Sequence, residues 1–317
     1  MSRPSLLVAT SAAVHRLTGL AAGAPSAEMC FEGPDVRFVA GGRSLDVIAL
    51  GGGELRVLRG HAAEALPGRA NEPIECVRIL SEDPLELLVG TEDARLYRWA
   101  DGRCDRVESF DALACRNRWH TPWGGPPSVR SLAGADGWVY ADIHVGSIMR
   151  SGDGGQTWEP VTPSLHEDVH QVNACPAAPE RVYANTAAGP FVSDDRGMSW
   201  AHRAADLGDR YGRAIAAAPA EPDLVLATGS DGPHGDNVHG QLWRSEDAGR
   251  TWAHVAEGFP ASTPKNINTH HVAFLADGAA CALAGRAVHV GTDRARRWRR
   301  AWVAAVEPSM LAASTSG

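Results

Sequence analysis

Short apolar runs recur along the whole chain, each bounded by Gly, Pro, Asp or Ser, and they come in pairs. Val36-Arg37-Phe38-Val39 precedes Val47-Ile48-Ala49, and Val77-Arg78-Ile79-Leu80 precedes Leu87-Leu88-Val89. Val129-Arg130-Ser131-Leu132 leads through Asp136-Gly137 into Trp138-Val139-Tyr140, and Val169-His170-Gln171-Val172 leads through two prolines into Val182-Tyr183. Gly212-Arg213-Ala214-Ile215 and His270-His271-Val272-Ala273 open two further pairs. Each pair reads as two strands joined by a tight turn. Six units therefore start near residues 36, 77, 129, 169, 212 and 270. Residues 5–32 add two or three strands, at 5–10 and 13–18 among them, without an inner strand of their own. The segment 303–313 supplies that strand and closes a ring, which predicts an all-β, seven-bladed propeller over residues 1–317. Six blades is the alternative, if residues 5–32 only complete the last blade.

A second repeat lies on this pattern. Ser151-Gly-Asp153-Gly-Gly155-Gln-Thr157-Trp158 is followed by Ser193-Asp-Asp195-Arg-Gly197-Met-Ser199-Trp200 and by Ser245-Glu-Asp247-Ala-Gly249-Arg-Thr251-Trp252. A decayed copy keeps Asp293 and Trp298 but has Ala295 at the glycine position. The tryptophans are 42, 52 and 46 residues apart, a period that marks four-stranded propeller blades. Ser and Asp accept backbone N–H bonds in such a turn, Gly supplies positive φ, and Trp returns to pack between blades. The residues of the repeat thus serve folding rather than catalysis. The motif resembles the Asp-box, or BNR, repeat of sialidases, sortilin-type receptors and photosystem II assembly factors. The likeness is strong over residues 128–302 and rests on strand pattern alone in the first 110. It implies that first strands line a channel, and that the loops leading into them gather on one face with the second-to-third-strand turns.

Composition narrows the function. The net charge of −8 disfavours an electrostatic nucleic-acid binder. Lys265 is the single lysine among 30 basic residues, a bias of genome composition rather than of a binding surface. No apolar stretch is long enough for a membrane helix. The apolar run near the N-terminus, Leu6 to Ala9, is too short for a secretory signal, so a cytoplasmic chain is expected. The six scattered cysteines, with no C-x-x-C, are expected to be free thiols.

Aligning the six inner strands places Arg37, Arg78, Arg130, His170, Arg213 and His271 at one level, a ring at the channel mouth. Arginines there suit a carboxylate or phosphate. Eight of the 13 histidines map to the same mouth: His120, His144, His166, His170, His234, His239, His270 and His271. Imidazoles converging from different blades suit Zn, Cu, Fe or Ni. His144, His170 and His271 are the expected metal ligands, with His120 next and Asp142, Glu167 and Asp168 as further ligands or orienting partners. His120, His166 and Tyr211 are the candidate catalytic groups. Arg37, Arg78, Arg130, Arg213 and Trp123 are the candidate substrate-binding groups. Residues 230–241 form an insertion at the mouth that accounts for the 52-residue spacing.

The expected function is a metal-dependent enzyme acting on a small anionic or aromatic substrate, with no nucleic-acid or membrane partner and the oligomeric state open. The alternatives are a propeller scaffold that binds a protein, and a glycan-binding or sialidase-like hydrolase. Sialidase chemistry needs three clamping arginines, a Tyr/Glu pair and an acidic Asp. Tyr211 and Asp209 lie beside an inner strand, but no Arg-Ile-Pro motif is present, nor a phosphate-binding P-loop or a G-x-S-x-G elbow.

Overall fold

The computed structural model describes residues 4–161, 164–208 and 210–314; Asp209, paired with Tyr211 in the sequence reading, lies outside them. The strands form seven four-stranded antiparallel sheets. The inner strands are Met310–Ser314, Val36–Gly41, Ile74–Glu82, Val129–Ala135, Val169–Cys175, Tyr211–Ala218 and Val272–Phe274. Each packs on the next, and the last packs on Met310–Ser314, so the sheets close into a ring. The chain is thus a seven-bladed propeller, and blades are numbered here from the N-terminus. The closing strand pairs with Ser5–Ala9 from Ser5↔Ser314 to Ala9↔Met310, which gives residues 5–32 the inner strand they lack.

Blades are buried on both faces, which is why strands such as Ser5–Ala9 are apolar throughout rather than alternating. The core lies between blades. Tyr140, Val172 and Trp200 join blades 4 and 5, Tyr183, Ile215 and Trp252 join 5 and 6, and Leu226, Phe274 and Trp298 join 6 and 7. All six cysteines are free, four of them buried. No helix among the described residues is long and apolar enough to cross a membrane.

The repeated turns link third and fourth strands. Ser151 Oγ donates to Asp153 Oδ1 (2.7 Å) and accepts from Gly155 N (2.8 Å), while Thr157 N and Oγ1 donate to the Asp153 carboxylate. Asp195 and Asp247 repeat the arrangement. Gly155, Gly197 and Gly249 take φ of 83° to 89°, the left-handed region where a side chain is strained. These carboxylates organise a turn much as a helix cap does. Asp195→Ala is expected to cost about 1–2 kcal/mol, read as a lower denaturant midpoint. No measurable shift would mean that the turn holds without its carboxylate.

Bulges set the channel mouth. Register breaks between Val36 and Phe38, Ile74 and Cys76, Val129 and Ser131, and Val169 and Gln171. They leave Arg37, Glu75, Arg130 and His170 unpaired at one level, with a longer break around Arg213 in blade 6. A bulge re-aims the extra residue, so these are the equivalent positions. Arg78 is therefore misplaced in the sequence alignment. The strand starts at Ile74, three residues before the Val-Arg pair that resembles its neighbours, and Glu75 holds the mouth position instead.

Candidate functional site

Three groups from neighbouring blades meet at the mouth. His144 follows the second strand of blade 4, Trp138–Ile143, and its N–H donates to Ser128 O (3.0 Å). Asp168 ends the loop into blade 5, where its N–H donates to His166 Nδ1 (3.1 Å). His170 is the bulged residue of that blade and is fully buried. The ligand atoms of the three lie within 4.8 Å of one another, a group that can hold a metal ion.

Hydrogen bonding sets the tautomer of His170. Its Nδ1 lies 2.6 Å from Gly212 O, an acceptor, so Nδ1 carries the proton. Glycine is required at 212, because a Cβ there would meet Asn185 Oδ1 at 1.9 Å. The lone pair of His170 Nε2 then faces the mouth, 2.8 Å from the Tyr211 hydroxyl and 3.2 Å from Asp168 Oδ1. Asp168 Oδ2 lies 3.4 Å from the same hydroxyl, but buried Oδ1 has no hydrogen-bond partner. His144 Nε2 is 3.7 Å from that oxygen.

Burial, followed by the charge of Arg130, holds His144 at a pKa of about 3. Burial is also the main cause that lowers His170 to about 4, against the pull of Asp168. Burial alone would raise Asp168, but the neighbouring His170, His144 and Arg130 hold its carboxyl below the usual range. At neutral pH the site is thus two neutral imidazoles and a carboxylate, a donor set of nitrogen and oxygen lone pairs that fits a borderline transition metal. Burial pushes the Tyr211 hydroxyl up to about 12.

Two arginines stand around this group. Arg130 has a buried Nη1 with no hydrogen-bond partner. Arg213 donates from Nη2 to Pro233 O (2.6 Å) and lies 5.1 Å over the Tyr211 ring, leaving its buried Nε unpartnered. Trp123 is 63% exposed, with its ring 4.9 Å from His144 and 6.1 Å from His234. The insertion joins the second and third strands of blade 6, Glu221–Ser230 and Gln241–Ser245. It is pinned over the mouth by Arg213 and by Asn266 Nδ2 on Pro233 O (3.0 Å). His239 binds Asp231, which also pairs with Arg210. A cavity of 570 Å³ flanks the group along Trp119, Val145, Gly146 and Glu167.

Other expected members lie elsewhere. His271 is not with His144 and His170; its Nε2 meets Ser309 O (3.1 Å), and it lines a separate 400 Å³ pocket with Ile267 and Leu283. The strand begins only at Val272, and His270 takes φ of 62°, which turns the chain before the ladder starts. It is His270 that reaches into the channel, its Nε2 3.2 Å from Arg130 O. Arg37 is engaged by Glu92 (3.2 Å) and Glu75 (3.8 Å). Arg78 donates to Gly134 O (2.6 Å) in the lower half of the channel. His120 is exposed, its Nδ1 on Arg118 O (3.0 Å). His166 supports the Asp168 backbone. Asp142 is bound by Ser131 N and Oγ inside blade 4, and burial raises it to about 7. Asp168, rather than a third histidine, completes the group; its place two residues before His170 was the signal that pointed to it.

Comparisons with known proteins agree with this architecture. The family model Sortilin-Vps10 (sortilin, neurotensin receptor 3) matches residues 146–259, from the third strand of blade 4 to just past blade 6. No curated protein matches the chain. Among solved structures, the GH74 xyloglucanase from Xanthomonas campestris is 17% identical with a TM-score of 0.66, covering 99% of this chain and 52% of that one. An ancestral GH74 enzyme is 15% identical with a TM-score of 0.57, covering 88% and 38%. The chain thus spans about half the length of the xyloglucanase and less of the ancestral enzyme. YCF48, solved bound to D1 peptide, is 16% identical with a TM-score of 0.61, covering 89% and 87%. Three intact Asp-boxes on a closed ring of seven blades, with the sortilin model matching the blades that carry them, make this chain a seven-bladed β-propeller with Asp-box turns, similar over residues 146–259 to the sortilin family.

Proposed function

We propose that the chain is a metal-dependent enzyme acting on a small anionic substrate at the channel mouth. One observation carries this reading: buried Asp168 Oδ1 has no hydrogen-bond partner and stands 3.2 Å from a neutral imidazole nitrogen whose own lone pair faces the mouth. Two lone-pair atoms in that relation call for a cation between them. His144, Asp168 and His170 would hold a divalent Zn, Cu or Fe ion. Such an ion supplies Lewis acidity to a substrate oxygen or water. The Tyr211 hydroxyl, 2.8 Å from His170 Nε2 and 3.4 Å from Asp168 Oδ2, would hold a proton beside the substrate. Arg130 and Arg213 offer unpartnered N–H groups to a carboxylate or phosphate. Trp123 offers an exposed ring face to a planar group.

Elemental analysis of untagged protein, before and after incubation with Zn(II), Cu(II) or Fe(II), tests the reading. Close to one ion per chain is expected. A content that stays far below one after reconstitution ends the enzyme proposal. The likeness to YCF48 at nearly equal length favours a second reading, a propeller that binds a peptide on this face. Under that reading His144→Ala leaves partner capture intact and no ion is found.

A further inference from the structure

The channel beneath the mouth is a separate compartment. Residues 268–271 cross it from blade 7. Thr269 Oγ1 donates to His170 O (3.0 Å), His270 N donates to Gln171 Oε1 (3.0 Å), and the His270 ring packs edge-on against Phe38. This crossing lies between the His–Asp group and the cavity beneath it. That cavity, of 360 Å³, continues into a basin of 780 Å³, the two sharing Gly41, Arg78, Phe274 and Ala313. Volumes of this size are those of small-ligand sites.

Arg78, Asn173 and Gln171 bring side-chain N–H donors to the channel lining. Asn173 Oδ1 accepts from Ala217 N (3.1 Å). Gln171 Oε1 accepts from Ile215 N (3.4 Å) and His270 N. Only the amide oxygen can accept from a backbone N–H, so both amide orientations are set, and both NH₂ groups are left without a protein acceptor among the described residues. Counting from the bulges, Arg78 and Asn173 each stand three residues further in, at one level on blades 3 and 5. Arg78 spends one nitrogen on Gly134 O. Burial pulls its guanidinium down to about 10, so it is charged at neutral pH. No Asp or Glu lines the channel; the basin carries Glu82 and Asp83, and Glu82 is held by Arg43 N, Ser44 N and Ser44 Oγ. Phe38, Val77, Leu132, Val272 and Leu311 add apolar side chains to the lining.

We infer that the channel is a binding site for a carboxylate with a short apolar body, its head on Arg78, Asn173 and Gln171 and its tail along the apolar side chains. Donors from Arg78, Asn173 and Gln171 favour a carboxylate head, and the apolar side chains between them take a short tail. The site shares no residue with the His144, Asp168 and His170 group, so it is tested independently of the metal reading.

Titration calorimetry with octanoate and with 1-octanol tests this on the full chain. Saturable 1:1 binding of octanoate is expected, with 1-octanol at least about tenfold weaker. Asn173→Asp keeps the acceptor for Ala217 N and replaces the NH₂ donor by a negative oxygen. It is expected to weaken octanoate by about tenfold or more while thermal stability and metal content stay unchanged. Arg78→Gln is expected to do the same, with Asn173→Asp as the variant that leaves the Gly134 contact in place. Equal affinity for acid and alcohol, no saturable octanoate binding, or octanoate binding unmoved in Asn173→Asp would each overturn the inference.

Discussion

Asp168→Asn is expected to lower the affinity for a divalent transition metal by more than about 100-fold, since losing even an outer-shell partner typically costs 10–100-fold. The fold should be barely affected. Asn has the shape of Asp, the residue lies in a loop, and its backbone N–H still reaches His166 Nδ1. The chemistry changes more than the shape. The Asn NH₂ can donate to His170 Nε2, which now takes only the Tyr211 hydroxyl, and the negative oxygen between the two imidazoles is gone. Competition with a chromophoric chelator reads the affinity, and a denaturation curve checks the fold. Unchanged affinity would place any bound ion elsewhere. The pH profile gives a second reading. Protons compete for an imidazole lone pair only as the pH approaches its pKa, and burial holds His144 and His170 near 3 and 4. Affinity should therefore stay flat through pH 6.5, where an ordinary imidazole titrates, and fall only in stronger acid. A loss centred on 6.5 would mean that the ligands are exposed histidines.

Asp46→Ala should destabilise the protein by about 3–5 kcal/mol, the cost of stranding one partner of a buried ion pair. Asp46 is fully buried and sits where the ring closes. Its Oδ2 accepts from Arg16 Nη2 (2.7 Å) in blade 1, and its Oδ1 from Ser314 Oγ (2.7 Å) on the closing strand and Gly42 N (3.1 Å) in blade 2. The backbones are close here, since a Cβ on Gly41 would meet Ala313 O at 1.9 Å. Removing the carboxylate leaves the Arg16 charge buried and releases the serine that ties down the closing strand. The double variant Arg16→Met, Asp46→Leu should be far milder, because no charge is then buried. Denaturant midpoints compare the three proteins. A loss below about 1 kcal/mol, the worth of an exposed pair, would show that closure rests on the strand ladder alone.

The blades were legible because their cause is local. A strand pair needs two apolar runs and a turn, and an Asp-box needs Ser, Asp, Gly and Trp at set offsets; both are written in consecutive residues. Closure by the C-terminal strand was legible by subtraction, since residues 5–32 had no inner strand of their own. His144 and His170 could be assigned to one mouth from their places in the repeat. Arg78 and His271 could not be placed that way. The alignment matched a Val-Arg pair, whereas the level of a side chain in the channel depends on where each ladder begins and where it bulges.

From the amino-acid sequence alone come the ring of blades, the turns that brace it and the face on which the histidines gather. Tertiary structure alone decided which groups meet. Asp168 takes the place expected of His271, His270 crosses the channel, and Arg78 lies further in, at the level of Asn173. The reason is physical. Periodicity and turn chemistry act over a few residues, while the approach of two side chains from different blades is set by bulges, a left-handed residue at 270 and backbone contacts between distant strands, none of which has a signature within its own segment.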